Sequence, residues 1–514
     1  MPLMSFEDSH EIDEETPFLP NQEVLPDSNT TRTPVTPLPI AQISVLLTAW
    51  LAESITTQSI SPYLNQLVRE LPDVGGDVRK VGYYTGIIVR PTFSKRADVD
   101  QIACQVSLHF AAEAVTSFQW NRLSDHVGRK PVLLSCLVGT SLSILLFGLS
   151  HSFWALVLSR CLHGAAKGHI GAVKSTIAEL TDETNVARGF SMPPVAWSLG
   201  YVIGPLVGGV LSRPQDRWPQ TFSHPFWADY PYFLPCLVAA TFTCFSFIAT
   251  ALYLEETLNS RSSEKLQLPR PNSDIPQGEA GDTSGFDMSP DEPQKPLPLR
   301  AVLTKPVVVT VANTAMLALL NAVVESYIPL VWSTPVEYGG LNLSPASIGL
   351  WQSLYGGMNG IFQFIFFSRF VSRFGLRRVF VFSIISCAVV YSILPFENLA
   401  VVVGGGPNLV VWLLIILQLS SLCIFDMGYG AMYMYTSSAA PNKRSLGAAY
   451  GLSQVATSVQ NAIGPASADW LFAFSLTHNV LGGKFAYVVL LGVVGVALGV
   501  STQLPKNTWV HRKE

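Results

Sequence analysis

Apolar stretches of roughly twenty residues, the length a helix needs to cross a bilayer, recur along this chain with short polar turns between them. Read on that scale, candidates fall near 41–67, 81–119 (interrupted), 131–149, 153–176, 189–211 and 231–253. A polar gap at 255–305 follows, rich in Pro, Ser, Asp and Glu, and reads as a flexible linker. Beyond it come 307–332, 345–368, 379–396, 409–436, 446–471 and 484–504. The pattern predicts an all-α membrane protein of twelve transmembrane helices, six in 40–254 and six in 306–505. Residues 1–39 differ in kind. They hold eight acids and one base among many Pro, Ser and Thr, and read as a disordered tail. A short second tail, 506–514, ends the sequence.

Charge in the turns sets the orientation. Those after the second, fourth, eighth and tenth segments carry Arg122, Arg129, Lys130, Arg188, Arg369, Arg373, Arg377, Arg378, Lys443 and Arg444. Those after the third, seventh and ninth hold no Lys or Arg. Short basic loops stay on the cytoplasmic side, so both tails and the linker are expected there. The two halves also echo each other. Arg373-Phe-Gly-Leu-Arg-Arg378 stands where His126-Val-Gly-Arg-Lys130 does, and Ile203-Gly204-Pro205 is matched by Ile463-Gly464-Pro465. Duplication accounts for both, and makes the halves pseudo-symmetric.

Composition sharpens the class. Hydrophobic residues make up 49% and charged residues only 13%, about half the charge of a soluble domain, and the mean hydropathy is +0.34. A net charge of -4 without a basic stripe excludes a nucleic-acid partner. The seven cysteines are scattered without a Cys-x-x-Cys pair and read as small membrane-core residues. No phosphate loop, nucleophile elbow or metal-ligand cluster is visible, so no enzyme chemistry and no metal is expected.

Ionisable groups inside the spans are the candidate chemistry, because a charge at membrane depth is costly and usually functional. Arg160 lies about six residues into the fourth segment, and Glu53, Glu113, Glu325 and Asp426 fall within other spans. Glu53 and Glu325, near mid-span in the first helix of each half, are the preferred proton carriers. Pairing with a bundle neighbour is the plainer alternative. Asn313, Asn321, Tyr355, Gln363, Gln418 and Gln454 could line the same cavity.

Three motifs carry a resemblance. After the second segment the chain reads Leu123-x-Asp125-x-x-Gly128-Arg129-Lys130. The fourth holds Arg160-Cys-Leu-His-Gly164-Ala-Ala-Lys-Gly168, whose glycines share one helix face. The fifth holds Ser191-x8-Gly200-x3-Gly204-Pro205-x2-Gly208-Gly209, where glycines permit close packing and Pro205 removes a backbone hydrogen bond. Together they resemble the major facilitator superfamily, in particular its drug:proton antiporters and the fungal relatives of the plant zinc-induced facilitator-like carriers, over about residues 40–505. The resemblance implies a turn motif that sets the balance of outward- and inward-open states, proton coupling at Arg160, and an exchanger's glycine-rich fifth helix. Asn121 and His126 depart from the family's Gly and Arg, which implies looser backbone packing and one charge contact fewer.

One stretch does not fit. Val89–Gln105, with Pro91, Lys95, Arg96, Asp98 and Asp100, does not belong in a spanning helix. Without it, Gly82–Ile88 runs directly into Val106–Phe110. A retained intron would explain the insert, since Val89-Arg90 and Gln105 can be encoded by donor-like and acceptor-like strings. As protein, it should loop out and start the second helix at about Gln101.

The expectation is a monomeric carrier in the plasma or vacuolar membrane, exporting a small organic molecule by alternating access. A proton gradient would drive it, with no cofactor. Alternatives are a non-transporting sensor or impaired carrier, favoured by the insert, and a nutrient symporter, disfavoured by the fifth-helix pattern.

Overall fold

The computed structural model describes residues 36–60, 62–64, 67, 97–257, 297–343 and 345–506, with backbone only for 97–107 and 345–346. One long helix corresponds to each predicted span. The first half comprises α1 (Ile40–Ser59), α2 (Ala97–Val127), α3 (Arg129–Gly148), α4 in two pieces (Phe153–Ala166 and His169–Leu180), α5 (Pro193–Leu211) and α6 (Phe233–Tyr253). The second comprises α7 (Lys305–Ser333), α8 (Pro345–Phe374), α9 (Leu376–Gly404), α10 (Leu409–Ala439), α11 (Leu446–Thr477) and α12 (Phe485–Ser501).

Composition explains which helices look like simple spans. Among the described residues, α1, α3, α6, α7, α9, α10 and the run Val186–Leu211 that ends in α5 are long and apolar enough to cross a membrane. Helices α2, α4, α8 and α11 are less apolar because they carry the polar groups that meet inside the bundle. Outside, Leu158, Leu206, Leu354 and Val403 are exposed, as a lipid-facing shell requires.

Helix ends follow local chemistry. Ser152 caps α4 by accepting from Ala155 N, and Asn408 caps α10 by accepting from Val411 N. Gly128 (φ +119°) and Gly375 (φ +80°) make the tight turns into α3 and α9. Glu256, just past α6, accepts from the amides of Arg129 and Lys130 at 2.9 and 3.0 Å and so caps α3. A Cβ on Gly128 would stand 2.6 Å from that carboxylate.

Three boundaries differ from expectation. Helix α4 breaks at Lys167–Gly168 instead of running through, and the Ala165 carbonyl just before the break accepts from Trp120 Nε1 and Thr116. Helix α9 continues past Pro395 to Gly404. Glu397 can stay inside it because it accepts from Trp332 Nε1 at 3.2 Å, while Asn398 donates to the Val336 and Gly340 carbonyls. Helix α2 is already formed at Ala97, ahead of the expected start near Gln101. Residues 97–105 of the anomalous stretch are therefore helical, and 89–96 lie outside the described residues.

Helix pairing repeats between halves. α5 packs along α1 and α11 along α7, while α2 meets α11 and α5 meets α8 across the two halves. Cβ atoms on Gly200, Gly204 and Gly208 would come within 2.0, 2.7 and 1.9 Å of Ser54, Gln58 and Ser59 of α1. On Gly464 of α11, a Cβ would come within 2.8 Å of Ala322 on α7.

Candidate transport cavity and gate

Between the halves lies a cavity of about 600 Å³, within the range that holds a drug-sized molecule. Helices α1, α4 and α5 supply Trp50, Gln58, Lys167, Lys174, Trp197 and Tyr201 to one wall. Helices α7, α8, α10 and α11 supply Asn321, Glu325, Tyr355, Asn359, Asp426 and Gln454 to the other. Pro62, Pro329, Trp332 and Gln352, near the ends of their helices, mark its extent toward the face opposite the basic turns.

The basic face is held shut by hydrogen bonds between halves. Asp125, at the end of α2, accepts from the amides of Gly447 and Ala448 at 2.8 and 2.7 Å, the first turn of α11. The helix end supplies positive potential there, so an ionised carboxylate binds well. Arg129 is itself buried and ties Asp125 (2.7 Å) to Glu179 of α4 (2.8 Å). Glycines make the approach possible. A Cβ on Gly447 would stand 2.4 Å from Asn121 O, and one on Gly171 would stand 1.9 Å from Asn121 Oδ1.

A second network sits deeper in the first half. Glu53 is buried and meets His163 Nε2 at 3.3 Å, His169 Nε2 at 3.7 Å and Lys167 Nζ at 3.7 Å. Arg160 Nη1 lies 3.3 Å from His163 Nδ1. A guanidinium can only donate, so the polarity runs one way: Arg160 to Nδ1, then Nε2–H to the Glu53 carboxylate. Lys167 also reaches Glu113 at 3.5 Å. From Glu113 the network crosses between halves, because Gln454 of α11 donates to Glu113 (2.8 Å) and accepts from Lys174 (3.1 Å).

The opposite wall is acidic. Tyr355 and Asn359 of α8 both donate to Asp426 Oδ2. Glu325 accepts from Asn321 at 3.1 Å and is open to the cavity.

A family model described as Major Facilitator Superfamily matches residues 43–341, more than half of the chain. The chain belongs to that superfamily. Among its relatives is the Major facilitator superfamily multidrug transporter mfsB of Aspergillus fumigatus, 27% identical over 83% of this chain and 77% of that protein. Protein ZINC INDUCED FACILITATOR 1 of Arabidopsis thaliana is 25% identical over 90% of this chain and 91% of its own length. The crystal structure of the human organic anion transporter MFSD10 (TETRAN) superposes with a TM-score of 0.61, at 17% identity, covering 91% of this chain and 100% of that chain. The protein is a multi-pass membrane transporter of the major facilitator fold, not an enzyme.

Within that fold the sequence candidates separate clearly. Asp125, Gly128, Arg129 and the Lys130 backbone converge on the contacts at the basic face, whereas the Leu123 side chain is exposed. Arg160 and Glu53 meet through His163, not directly. Glu325 lies on the other wall of the cavity. Gly164 and Gly168 both face α2, at His109 and Trp120. Ser191 is buried and donates to the Arg188 carbonyl, and Pro205 lines the cavity. A Cβ on Gly209 would find its nearest neighbour at 3.9 Å, so that glycine leaves the packing stripe. Asn121 keeps α2 close to its neighbours, because glycines on α4 and α11 leave room for it. Asn321, Tyr355 and Gln454 line the cavity, while Asn313, Gln363 and Gln418 donate to the carbonyls of Val500, Cys423 and Val390 on neighbouring helices.

Sequence reasoning missed Lys174, His109, His163, Glu179, Glu256 and Asn359. Lys174 and His163 had a signal, as ionisable residues within a predicted span. Glu179 and Glu256 had none, since their partners lie 50 and 127 residues away. Among the described residues no group of three or more His, Cys, Asp or Glu is arranged to hold a metal ion.

Proposed function

We propose that this transporter exports a small organic molecule in exchange for protons, working as a monomer in the plasma or vacuolar membrane with both tails cytoplasmic. The observation that carries the reading is a midline cavity closed on the basic face by the Asp125 gate. On this reading the structure is an outward-facing state. Opening inward requires Asp125 to leave the first turn of α11 while the halves rock about the cavity. Protons load at Glu53, whose charge is shared with His163, His169 and Lys167. Neutralising Glu53 loosens that cluster, and Arg160 returns it to the ionised form through His163. Asp426 and Glu325 take part on the cargo side. The multidrug relative and the organic anion transporter support small organic cargo, and the basic turns support the orientation.

The experiment is ethidium flux in proteoliposomes under an imposed pH gradient. Proton-driven accumulation that collapses with an uncoupler, and that Glu53→Gln abolishes while downhill exchange survives, is the expected result. Ethidium movement indifferent to the gradient would remove proton coupling. Co-directional movement of ethidium and protons would make the carrier a symporter.

A further inference from the structure

The two walls of the cavity carry opposite charges that do not pair with each other. Lys167 is spoken for, held between Glu53 and Glu113. Lys174 is not. Although buried, it forms no salt bridge among the described residues and is held by neutral groups: Gln454 Oε1 at 3.1 Å, the Tyr433 ring at 4.4 Å and the Trp50 ring at 5.8 Å. Aromatic faces stabilise an ammonium but leave its charge available to an anion. On the far wall, both hydrogen bonds to Asp426 fall on Oδ2, from Tyr355 and Asn359. No described donor meets its Oδ1, and Asp426 forms no salt bridge among the described residues. Glu325 adds a second carboxylate on the same wall, bonded to the neutral Asn321. All four of Lys174, Asp426, Glu325 and Asn321 line the cavity, and Trp197, Tyr201 and Tyr429 line it with them.

A carrier for simple organic cations needs no free lysine in its pocket, and a carrier for simple anions is opposed by two carboxylates. One cargo chemistry satisfies both walls. We propose that the cavity takes an amphoteric aromatic molecule, its ammonium end at Asp426 and Glu325, its anionic end at Lys174, and its ring among those aromatic side chains. The inference rests on reading this cavity as the cargo site, and it adds the cargo's charge pattern.

Three matched probes test it: 4-(2-aminoethyl)benzoate, which carries both charges, 2-phenylethylamine, which carries the ammonium alone, and 4-ethylbenzoate, which carries the carboxylate alone. Binding to the purified full-length protein is followed by quenching of intrinsic tryptophan fluorescence, since Trp50 and Trp197 line the cavity. The amphoteric probe is expected to bind at least tenfold more tightly than either single-charge probe. Lys174→Gln should reduce it to the level of 2-phenylethylamine and leave the amine's own affinity unchanged. Asp426→Asn should reduce it to the level of 4-ethylbenzoate. Equal affinity for the three probes in the wild-type protein overturns the proposal without any variant. A Lys174→Gln protein in which the amine loses as much affinity, relative to wild type, as the amphoteric probe does overturns it too. Proton-driven flux of ethidium and of the amphoteric probe, measured in parallel, separates the two readings. Flux without amphoteric preference removes only this inference, and amphoteric preference without flux removes only the exporter.

Discussion

Single residues carry two kinds of constraint here, space and charge. Gly208 and Gly209 are neighbours in one motif, yet only the first faces α1. Gly208→Ala should destabilise the protein by about 1–3 kcal/mol, because its Cβ would meet the Ser59 carbonyl and force α1 and α5 apart. Gly209→Ala should leave thermal stability in detergent unchanged within error. Equal losses in the two variants would remove the packing argument. Charge governs the short strap ahead of α1. Thr36 donates to Asp182 in the turn after α4, its amide reaches Thr184 Oγ1 at 3.1 Å, and Asn185 donates to its carbonyl at 3.2 Å. Hydrogen bonds from Thr184 and Thr36 hold the Asp182 carboxyl below its usual pKa. A depressed carboxylate stabilises the folded contact above the ordinary carboxylate range and loses that effect as pH falls through its own pKa. The strap should therefore stay in place at neutral pH and loosen on strong acidification. Amide hydrogen exchange in Thr36–Ile40 is expected to speed up under acid, after correction for intrinsic rates, and Thr36→Ala should show the faster exchange at neutral pH already.

At the scale of elements, the fourth helix shows what a sequence pattern conceals. Residues 153–176 read as one apolar span, and nothing in that periodicity marks a break. The break serves Lys167, which reaches two carboxylates on two different helices, and Trp120, which takes the carbonyl just before it. These gains are tertiary, so they lie beyond any local signal. Gly168 is the one local hint, and a Cβ there would stand 2.2 Å from Trp120. Gly168→Ala should push α2 from α4 and lower transport by at least tenfold. Trp120→Phe, which loses the hydrogen bond to Ala165 but keeps most of the ring, should cost transport far less. If both variants transport like wild type, the break has no functional part. The second helix poses the reverse problem. Residues 97–105 read as foreign to a membrane and yet are helical within α2. Sequencing the transcript decides whether codons 89–105 persist in the mature message. Loss of those codons from abundant message would identify them as intron.

For the whole molecule, the twelve-span plan was legible because lipid imposes a length and a polarity that any helix must meet. Turn charge and internal repeats added the two-half arrangement. The proposed gate was partly legible: Asp125, Gly128 and Arg129 announced a charged turn, but their partners on α4, just past α6 and on α11 are set only by folding. The cavity was least legible, since its walls come from seven helices and a helix does not reveal which neighbour it faces. The gate also yields a prediction at this scale. Asp125→Asn keeps the shape and removes the charge that binds the first turn of α11, a loss of about 2 kcal/mol, or roughly thirtyfold in the balance between states. Cysteines introduced at Thr314 and Thr436, which line the cavity toward the basic-face ends of α7 and α10, should then react with a thiol reagent added from the basic face, and barely do so in the parent. No increase in labelling would show that Asp125 does not hold that face closed.

The chain from Glu113 through Gln454 to Lys174 ties the first half to α11. An anion arriving at Lys174 competes with the Gln454 oxygen for the same ammonium. If the proposed cargo binds there, it would undo one rung of contact between the halves, so that a vacant protein would idle and a laden one move. In the proposed proton-exchange cycle, such an interlock would prevent the gradient from draining through cycles that carry nothing.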